Sequence, residues 1–450
     1  MSARTVVRGG RVLTMDEHLG DFDRADVVIE DGLITAVTPA ADVREDDVVI
    51  DAKGCIVIPG FVDGHRHLWQ TFLRGALPNC TLPTYMRDLL GALSPHVEPE
   101  DGYVGTLLGA LECLNAGITT VLDWSHALST PEDSDARIAA LLDSGIRAYF
   151  APNTPASAEW YSWQEPKNHP DDIRRLRAGV LSADDGLVRL AAGLRSPGQV
   201  PDSVVTADWG LARGLGLLIS IHAGTRRPGA TSYEADALAR LGLLGDDVHF
   251  AHGNEFSDTE LKYIADAGAT LTLSPCAELT AGLGSVRPAR LVAHGIRPGL
   301  SADATAMAPG DMFSQMRAAF AAGRSEQLPA DPAQPYQPTF EARDVLDFAT
   351  LSGARAVGLG DVCGSLSVGK DADIVLIRGD AVNTAPVIDP VGTVVVSADT
   401  SNVDTVLVAG KVVKHRGALV GTDVPALVAR AEQARDRVLR AAKWQETIAP

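Results

Sequence analysis

Apolar and polar positions along this chain fall into two rhythms. Short β-rich runs occur at 5–13, 26–29 and 48–50, separated by turn signals such as Arg8-Gly9-Gly10 and Glu30-Asp31-Gly32. The same texture returns late, at 373–377, 393–396 and 405–408, with Gly410-Lys411 marking a turn. Strands at both ends around a different middle predict a small β-sandwich domain built from residues 1–58 and 361–420. Residues 421–450 are left as a C-terminal helix.

The middle, 59–360, alternates. Apolar, β-branched strand candidates lie at 56–61, 118–122, 146–150, 187–194, 217–221, 247–251, 269–273 and 296–300. Helical patterns stand between them, such as 103–116 stopping at Gly117 and 258–267 stopping at Gly268. The second opens with Ser257-Asp258-Thr259-Glu260, a capping box that satisfies orphan amide donors. Near-continuous apolar strands alternating with helices read as a parallel sheet buried on both faces. An open doubly wound sheet has the same texture. The count of eight and the lack of GxGxxG after the first strand favour an α/β (β/α)₈ TIM barrel.

Composition changes this picture little. The 450 residues are 46% hydrophobic and 22% charged, ordinary for a globular protein. A formal charge of −19 argues against nucleic acid and against anionic lipid, so neither is expected as a partner. Residues 1–16 have arginines but no continuous apolar run, and no stretch has the length of a membrane span. The cysteines (Cys55, Cys80, Cys113, Cys276, Cys363) are scattered without a CxxC pair, which fits a reducing cytoplasm.

Candidate chemistry lies at the C-terminal ends of the barrel strands, where barrel enzymes place it. The first runs into Gly64-His65-Arg66-His67, and alternate residues of an extended segment point the same way. The fifth ends at His222 and the eighth at Asp303. Three imidazoles and a carboxylate suit one divalent ion, Zn²⁺ first and Fe²⁺ or Mn²⁺ as alternatives, with a position left for water. An HxH pair alone is weak evidence; four ligand-type residues at the ends of strands one, five and eight are a stronger signal.

The segment Pro59-Gly60-Phe61-Val62-Asp63-Gly64-His65-Arg66-His67 resembles the signature of the amidohydrolase superfamily. Leu68-Trp69-Gln70-Thr71-Phe72-Leu73-Arg74-Gly75 is similar to its chlorohydrolase and aminopurine/pyrimidine (guanine, cytosine) deaminase branch, as is the run from Gly364 to Asp373. The resemblance implies a single metal on His65, His67, His222 and Asp303. Two-metal branches carry a lysine at the end of strand four, where this chain has Arg195. The resemblance also implies a catalytic histidine at His252, after strand six, and a homodimer. A cation with an open position lowers the pKa of its water from ~15.7 towards ~7, giving a nucleophile at neutral pH. Asp303 would take the proton, and His252 would hydrogen-bond the attacked group or stabilise its charge. His249 is read as structural.

The departures from the pattern carry the most information. Deaminases of this branch have a glutamate three residues after the strand-five histidine, where this chain has Thr225. Threonine does not titrate near neutrality and cannot replace it as acid and base. After strand seven, in place of the family's asparagine, stands Glu278. Either Glu278 enters the pocket and supplies the missing carboxylate, or it is a solvated surface residue. By resemblance Trp69 and Gln70 line the pocket, with helix packing as the bland alternative. His126 and Thr225 are further candidate substrate contacts, and Trp160, Tyr161 and Trp163 could form a lid.

The leading functional expectation is hydrolysis of a carbon–nitrogen bond, other than a peptide bond, in a small cyclic or aromatic molecule. A rival keeps the metal but lets an internal amine or hydroxyl attack, closing an azole such as a benzoxazole with loss of water. A third reading is a non-catalytic metal-binding protein, which the retention of all four ligands and His252 opposes.

Overall fold

A computed structural model describes residues 4–156, 166–226 and 233–444. The aromatic cluster of Trp160, Tyr161 and Trp163 lies outside the described residues. Two sheets organise the chain. The larger consists of parallel segments Phe61–Arg66, Ile118–Ser125, Arg147–Pro152, Val188–Leu190, Ala192–Gly193, Ile219–Ala223, Val248–His252, Thr270–Leu273 and Gly299–Leu300. Val188–Leu190 and Ala192–Gly193 are one strand interrupted at Ala191. Ala191 N donates to Phe150 O (2.9 Å) on one side, and Ala192 N to Leu218 O (2.8 Å) on the other. The two ends of the hydrogen-bonded order are therefore consecutive in the chain, and eight strands close into the expected barrel.

The second sheet is mixed and drawn from both termini. Thr5–Val12, Phe22–Glu30, Leu33–Thr38, Val48–Asp51 and Cys55–Pro59 join Ile374–Arg378, Val403–Val408, Lys411–His415 and Ala418–Leu419. It curls over a core of its own that includes Val7, Val27, Ile34, Val57, Ile374 and Leu407. Ile34 N donates to Lys370 O (2.8 Å) and Ala372 N to Gly32 O (2.8 Å), so one edge folds back on the other terminus.

Two sequence expectations need correction. The apolar run at 56–61 is not the first barrel strand. Cys55–Pro59 belongs to the mixed sheet, antiparallel to Ile374–Arg378, and the barrel begins at Phe61. Both strands are fully buried, so the hydrophobic run passes through the change of sheet without a polar break. The run at 393–396 is helical. Asp389 caps the preceding turn by accepting from Val391 N (3.0 Å), the chain continues as a helical turn over Thr393–Ser397, and Val394 and Val395 pack into the main core. The cap and the packing outweigh a β preference that is weak in itself.

The capping box at Ser257 forms as expected. Ser257 Oγ accepts from Glu260 N (3.2 Å), Glu260 Oε2 accepts from Ser257 N (3.0 Å), and Gly268 ends the helix Asp258–Ala267. The C-terminal helix Val424–Ala441 lies on Pro99–Asn115, tied by Arg430–Glu100 and Arg437–Glu98 ion pairs. Among the described residues no helix is long and apolar enough to cross a membrane.

One buried ion group joins barrel and mixed sheet. Arg147, at the start of the third barrel strand, donates through Nε and Nη2 to Asp373 (3.0 and 3.1 Å) and through Nη2 to Asp371 (2.6 Å). Arg147 and Asp373 are buried, and Asp373 also accepts from Ala409 N (2.7 Å). Deleting the cation strands carboxylate charge in a desolvated junction. Arg147→Met should cost roughly 3–5 kcal/mol of stability. Chemical denaturation of wild type and variant checks it, and a loss under about 1 kcal/mol would mean that the junction is solvated like a surface pair.

Candidate metal centre

The barrel's C-terminal mouth gathers side chains from the ends of six strands. His65 lies in strand one and His67 immediately after it. Their alternation turns both inward, while Arg66 between them reaches outward to Glu112, Asp63 and the carbonyl of Gly310. His222 comes from strand five. The candidate ligand nitrogens of His65, His67 and His222 all lie within 4.8 Å of one another. Asp303, just past strand eight, places Oδ1 3.3 Å from His67 Nε2 and 3.7 Å from His65 Nε2.

The donor set fits a divalent cation. His67 Nδ1 lies 2.6 Å from the carbonyl of Trp124, which can only accept, so the ring proton is on Nδ1 and Nε2 offers a lone pair. His65 is buried with neither ring nitrogen hydrogen-bonded. Unsatisfied polar atoms at that depth are costly, and a ligated cation would relieve the cost. Burial, followed by the charge of neighbouring histidines, pushes His65 and His222 well below the ordinary imidazole range, which keeps them in the neutral, ligating form.

Two strained backbone positions lie at the cluster. His252 (φ +82°) and Asp303 (φ +59°) are both non-glycine residues in the left-handed region, and both face the cluster. The loops after strands five and six touch at Gly224 and Gly253. A Cβ on Gly224 would meet Gly253 Cα at 2.6 Å, and one on Gly253 would meet Leu271 Cδ1 at 2.3 Å. Both positions need glycine, and their contact brings His222 and His252 to a ring separation of 5.6 Å.

His252 is backed by Glu278. Its Nδ1 lies 3.0 Å from Glu278 Oε1, which also accepts from Ser274 N (2.7 Å). Glu278 is fully buried on the short helix Pro275–Ala281, and its Oε2 has no partner. The reading of Glu278 as a solvated surface residue is therefore wrong: strand seven hands directly into that helix, whose first turn points the side chain into the barrel. Burial works against charging His252, but the Glu278 hydrogen bond and the Asp303 charge outweigh it and raise its pKa.

The other candidates occupy different depths. Trp69 and Gln70 are buried in the turn Leu68–Leu73. Trp69 Nε1 donates to His126 Nδ1 (2.9 Å), and Gln70 Nε2 donates to Tyr85 Oη (2.6 Å), leaving Gln70 Oε1 unpartnered. His126 stacks on His67 at 4.4 Å. Thr225 is half-buried past strand five. His249 sits inside strand six between Ser220 Oγ (3.0 Å) and Thr272 Oγ1 (2.8 Å), which is a structural placement. Sequence reasoning missed Trp124, Tyr85 and Arg137, the partners of His67, Gln70 and His126. Trp124 meets His67 through its own carbonyl, Arg137 meets the carbonyl of His126, Tyr85 lies 15 residues from Gln70, and no motif marks them. It also missed Asn254, two residues past His252, buried with both amide atoms unpartnered.

Comparison with known proteins agrees with this geometry. Residues 56–413 match the amidohydrolase family. A 5′-deoxyadenosine deaminase of Methanosarcina mazei is 27% identical over 449 residues, covering 97% of this chain and 99% of that protein. A 5-methylthioadenosine/S-adenosylhomocysteine deaminase of Symbiobacterium thermophilum is 28% identical over 453 residues, with coverages of 97% and 99%. The crystal structure of an adenosine deaminase from Xanthomonas campestris with bound zinc superposes with a TM-score of 0.83 at 25% identity, covering 97% and 99% of the two chains. An atrazine chlorohydrolase from Arthrobacter aurescens TC1, complexed with zinc, shares the fold with a TM-score of 0.81 at 24% identity and coverages of 96% and 100%. With the family match spanning most of its length and a histidine cluster at the barrel mouth, the chain belongs to the amidohydrolase family and is a hydrolase of that superfamily.

Proposed function

We propose that this protein hydrolyses a carbon–nitrogen bond, other than a peptide bond, in a small cyclic or aromatic substrate, using one zinc ion. The observation that carries the reading is the convergence of His65, His67 and His222 with Asp303 on one side and the His252–Glu278 pair on the other. The adenosine-type substrates named for the relatives support this class and make 5′-deoxyadenosine and methylthioadenosine the first compounds to assay. A bound divalent cation supplies Lewis acidity and lowers the pKa of water from ~15.7 towards ~7.

The chain's own groups then divide the work. Asp303 accepts the proton that water loses on attacking the carbon. His252, oriented through Nδ1, presents Nε2 to the charge that develops on the attacked group. The carbon–nitrogen bond breaks and the leaving nitrogen takes up a proton. Glu278 acts through His252: with Oε1 engaged by the imidazole and by Ser274 N, it holds the ring and supports its protonated form. Thr225 has no proton to give near neutrality, so delivery falls to His252 and Asp303.

Purified protein should contain about one divalent ion per chain by elemental analysis, and chelation should abolish turnover. A reproducible content near two, or full activity without metal, overturns the mononuclear mechanism.

His252→Ala should keep its metal and lose roughly 10²–10⁴-fold in turnover. Metal lost together with activity would make His252 a ligand instead.

Glu278→Gln keeps the shape but removes the charge behind His252. Turnover should fall by roughly 10²-fold or more with metal retained. The pH–rate limb set by His252 should move to lower pH, because the imidazolium loses its carboxylate partner. Near wild-type behaviour would exclude this role. Mass analysis of the product checks the reaction class, since hydrolysis adds water and cyclisation removes it.

A further inference from the structure

Trp69 stands in the turn after the HxH pair, yet it has no surface to offer a substrate. It is fully buried, with the Arg137 guanidinium 5.2 Å from the centre of its ring. Its one polar contact is the 2.9 Å hydrogen bond to His126 Nδ1. An indole N–H can only donate, so Nδ1 must be the acceptor, and the proton of a neutral His126 ring is then on Nε2. The backbone of His126 is held as well. Arg137 donates through Nη1 to Ser125 Oγ (2.8 Å) and His126 O (2.6 Å), and through Nη2 to Ala127 O (3.0 Å). The ring lies almost parallel to His67, 14° apart at 4.4 Å, which puts it beside the candidate metal centre. Its Nε2 makes no hydrogen bond to any described residue and is absent from the fully enclosed unpartnered atoms, so it reaches accessible space.

We propose that Trp69 is a positioning residue that fixes His126 as an Nε2–H donor on the wall of the substrate cleft. The substrate accordingly presents a hydrogen-bond acceptor there, an oxygen or an unprotonated ring nitrogen, and not an ammonium or amide N–H. The substrate half rests on the hydrolase reading above; the tautomer does not. His67 has the opposite tautomer, fixed by the Trp124 carbonyl. Two stacked imidazoles thus divide the roles of ligand and donor, and an indole and a carbonyl make the assignment. Exchanging the tautomer of His126 would turn a lone pair towards the cleft and repel the same acceptor.

The test is a long-range ¹H–¹⁵N spectrum of histidine-labelled, zinc-loaded protein, with the His126 signals assigned by their loss in His126→Gln. The expected result is a protonated Nε2 and an unprotonated Nδ1. An Nδ1-protonated ring in the wild type overturns the proposal without any variant. In Trp69→Phe, which keeps the packing under Arg137 but loses the donor, the ring should populate both tautomers; an unchanged spectrum overturns the positioning role. On a compound that the wild type hydrolyses, Trp69→Phe should lower kcat/KM by about 3–10-fold, mainly through KM and with metal content unchanged. An unchanged KM overturns the substrate half. The expected tautomer without hydrolysis of any compound offered supports the role of Trp69 and counts against the hydrolase reading.

Discussion

The mouth of this barrel depends on holding three imidazoles together, His65 and His67 buried and His222 half-buried, without giving all of them partners. His65 is the extreme case, buried with both ring nitrogens unsatisfied, and His222 and His67 stand within 4.8 Å of it through their ligand nitrogens. His65 and His222 resist charging, because an added proton would meet both desolvation and the neighbouring histidines. A divalent cation would answer both problems, since neutral imidazoles offer it their lone pairs as ligands. The surrounding groups are arranged to the same end. The Trp124 carbonyl fixes which nitrogen of His67 is free, and Asp303 brings its carboxylate within 3.3 Å of that nitrogen.

Rigid support makes the cluster tolerable. Outward-facing Arg66 binds the HxH strand to Glu112 and to the carbonyl of Gly310, while Asp63 Oδ1 accepts from Ala302 N (3.2 Å), one residue before Asp303. Strands one and eight are thereby fastened at the level where both deliver candidate ligands. The left-handed backbone at His252 and Asp303 is held against its own preference by these contacts and by the glycine approach at Gly224 and Gly253. Positions that a free chain would relax are retained because the strands beneath them are closed into a ring.

How much of this was legible depends on the range of the interaction. The barrel was readable because most of its strand candidates are apolar, β-branched runs alternating with helices, and the candidate residues His65, His67, His222 and Asp303 because they stand at strand ends. Local chemistry also read correctly at Ser257 and Glu260, where the cap lies within a single turn. Two apolar runs were misread for a shared reason: hydrophobicity reports burial and not the sheet or helix that does the burying. Residues 55–59 and 61–66 are equally buried in different sheets, and Thr393, Val394 and Val395 are buried on a helical turn. The contacts of Trp69 with His126 and of Glu278 with His252 were hidden because they join residues 57 and 26 apart in the chain.

The placement of Glu278 bears on what Thr225 has given up. A carboxylate after strand five would stand in the cleft and could exchange protons directly with the substrate. Glu278 stands behind His252, with one oxygen committed to Nδ1 and to Ser274 N, so its influence reaches the cleft only through the imidazole. In the proposed mechanism the proton carrier nearest the substrate is then a histidine, with the carboxylate behind it. An imidazole can both donate and accept within the neutral range without leaving an unpaired anion in the cleft. The described groups around the cluster are thus the ring of His126 stacked on His67, the imidazole of His252 backed by a carboxylate, and the carboxylate of Asp303.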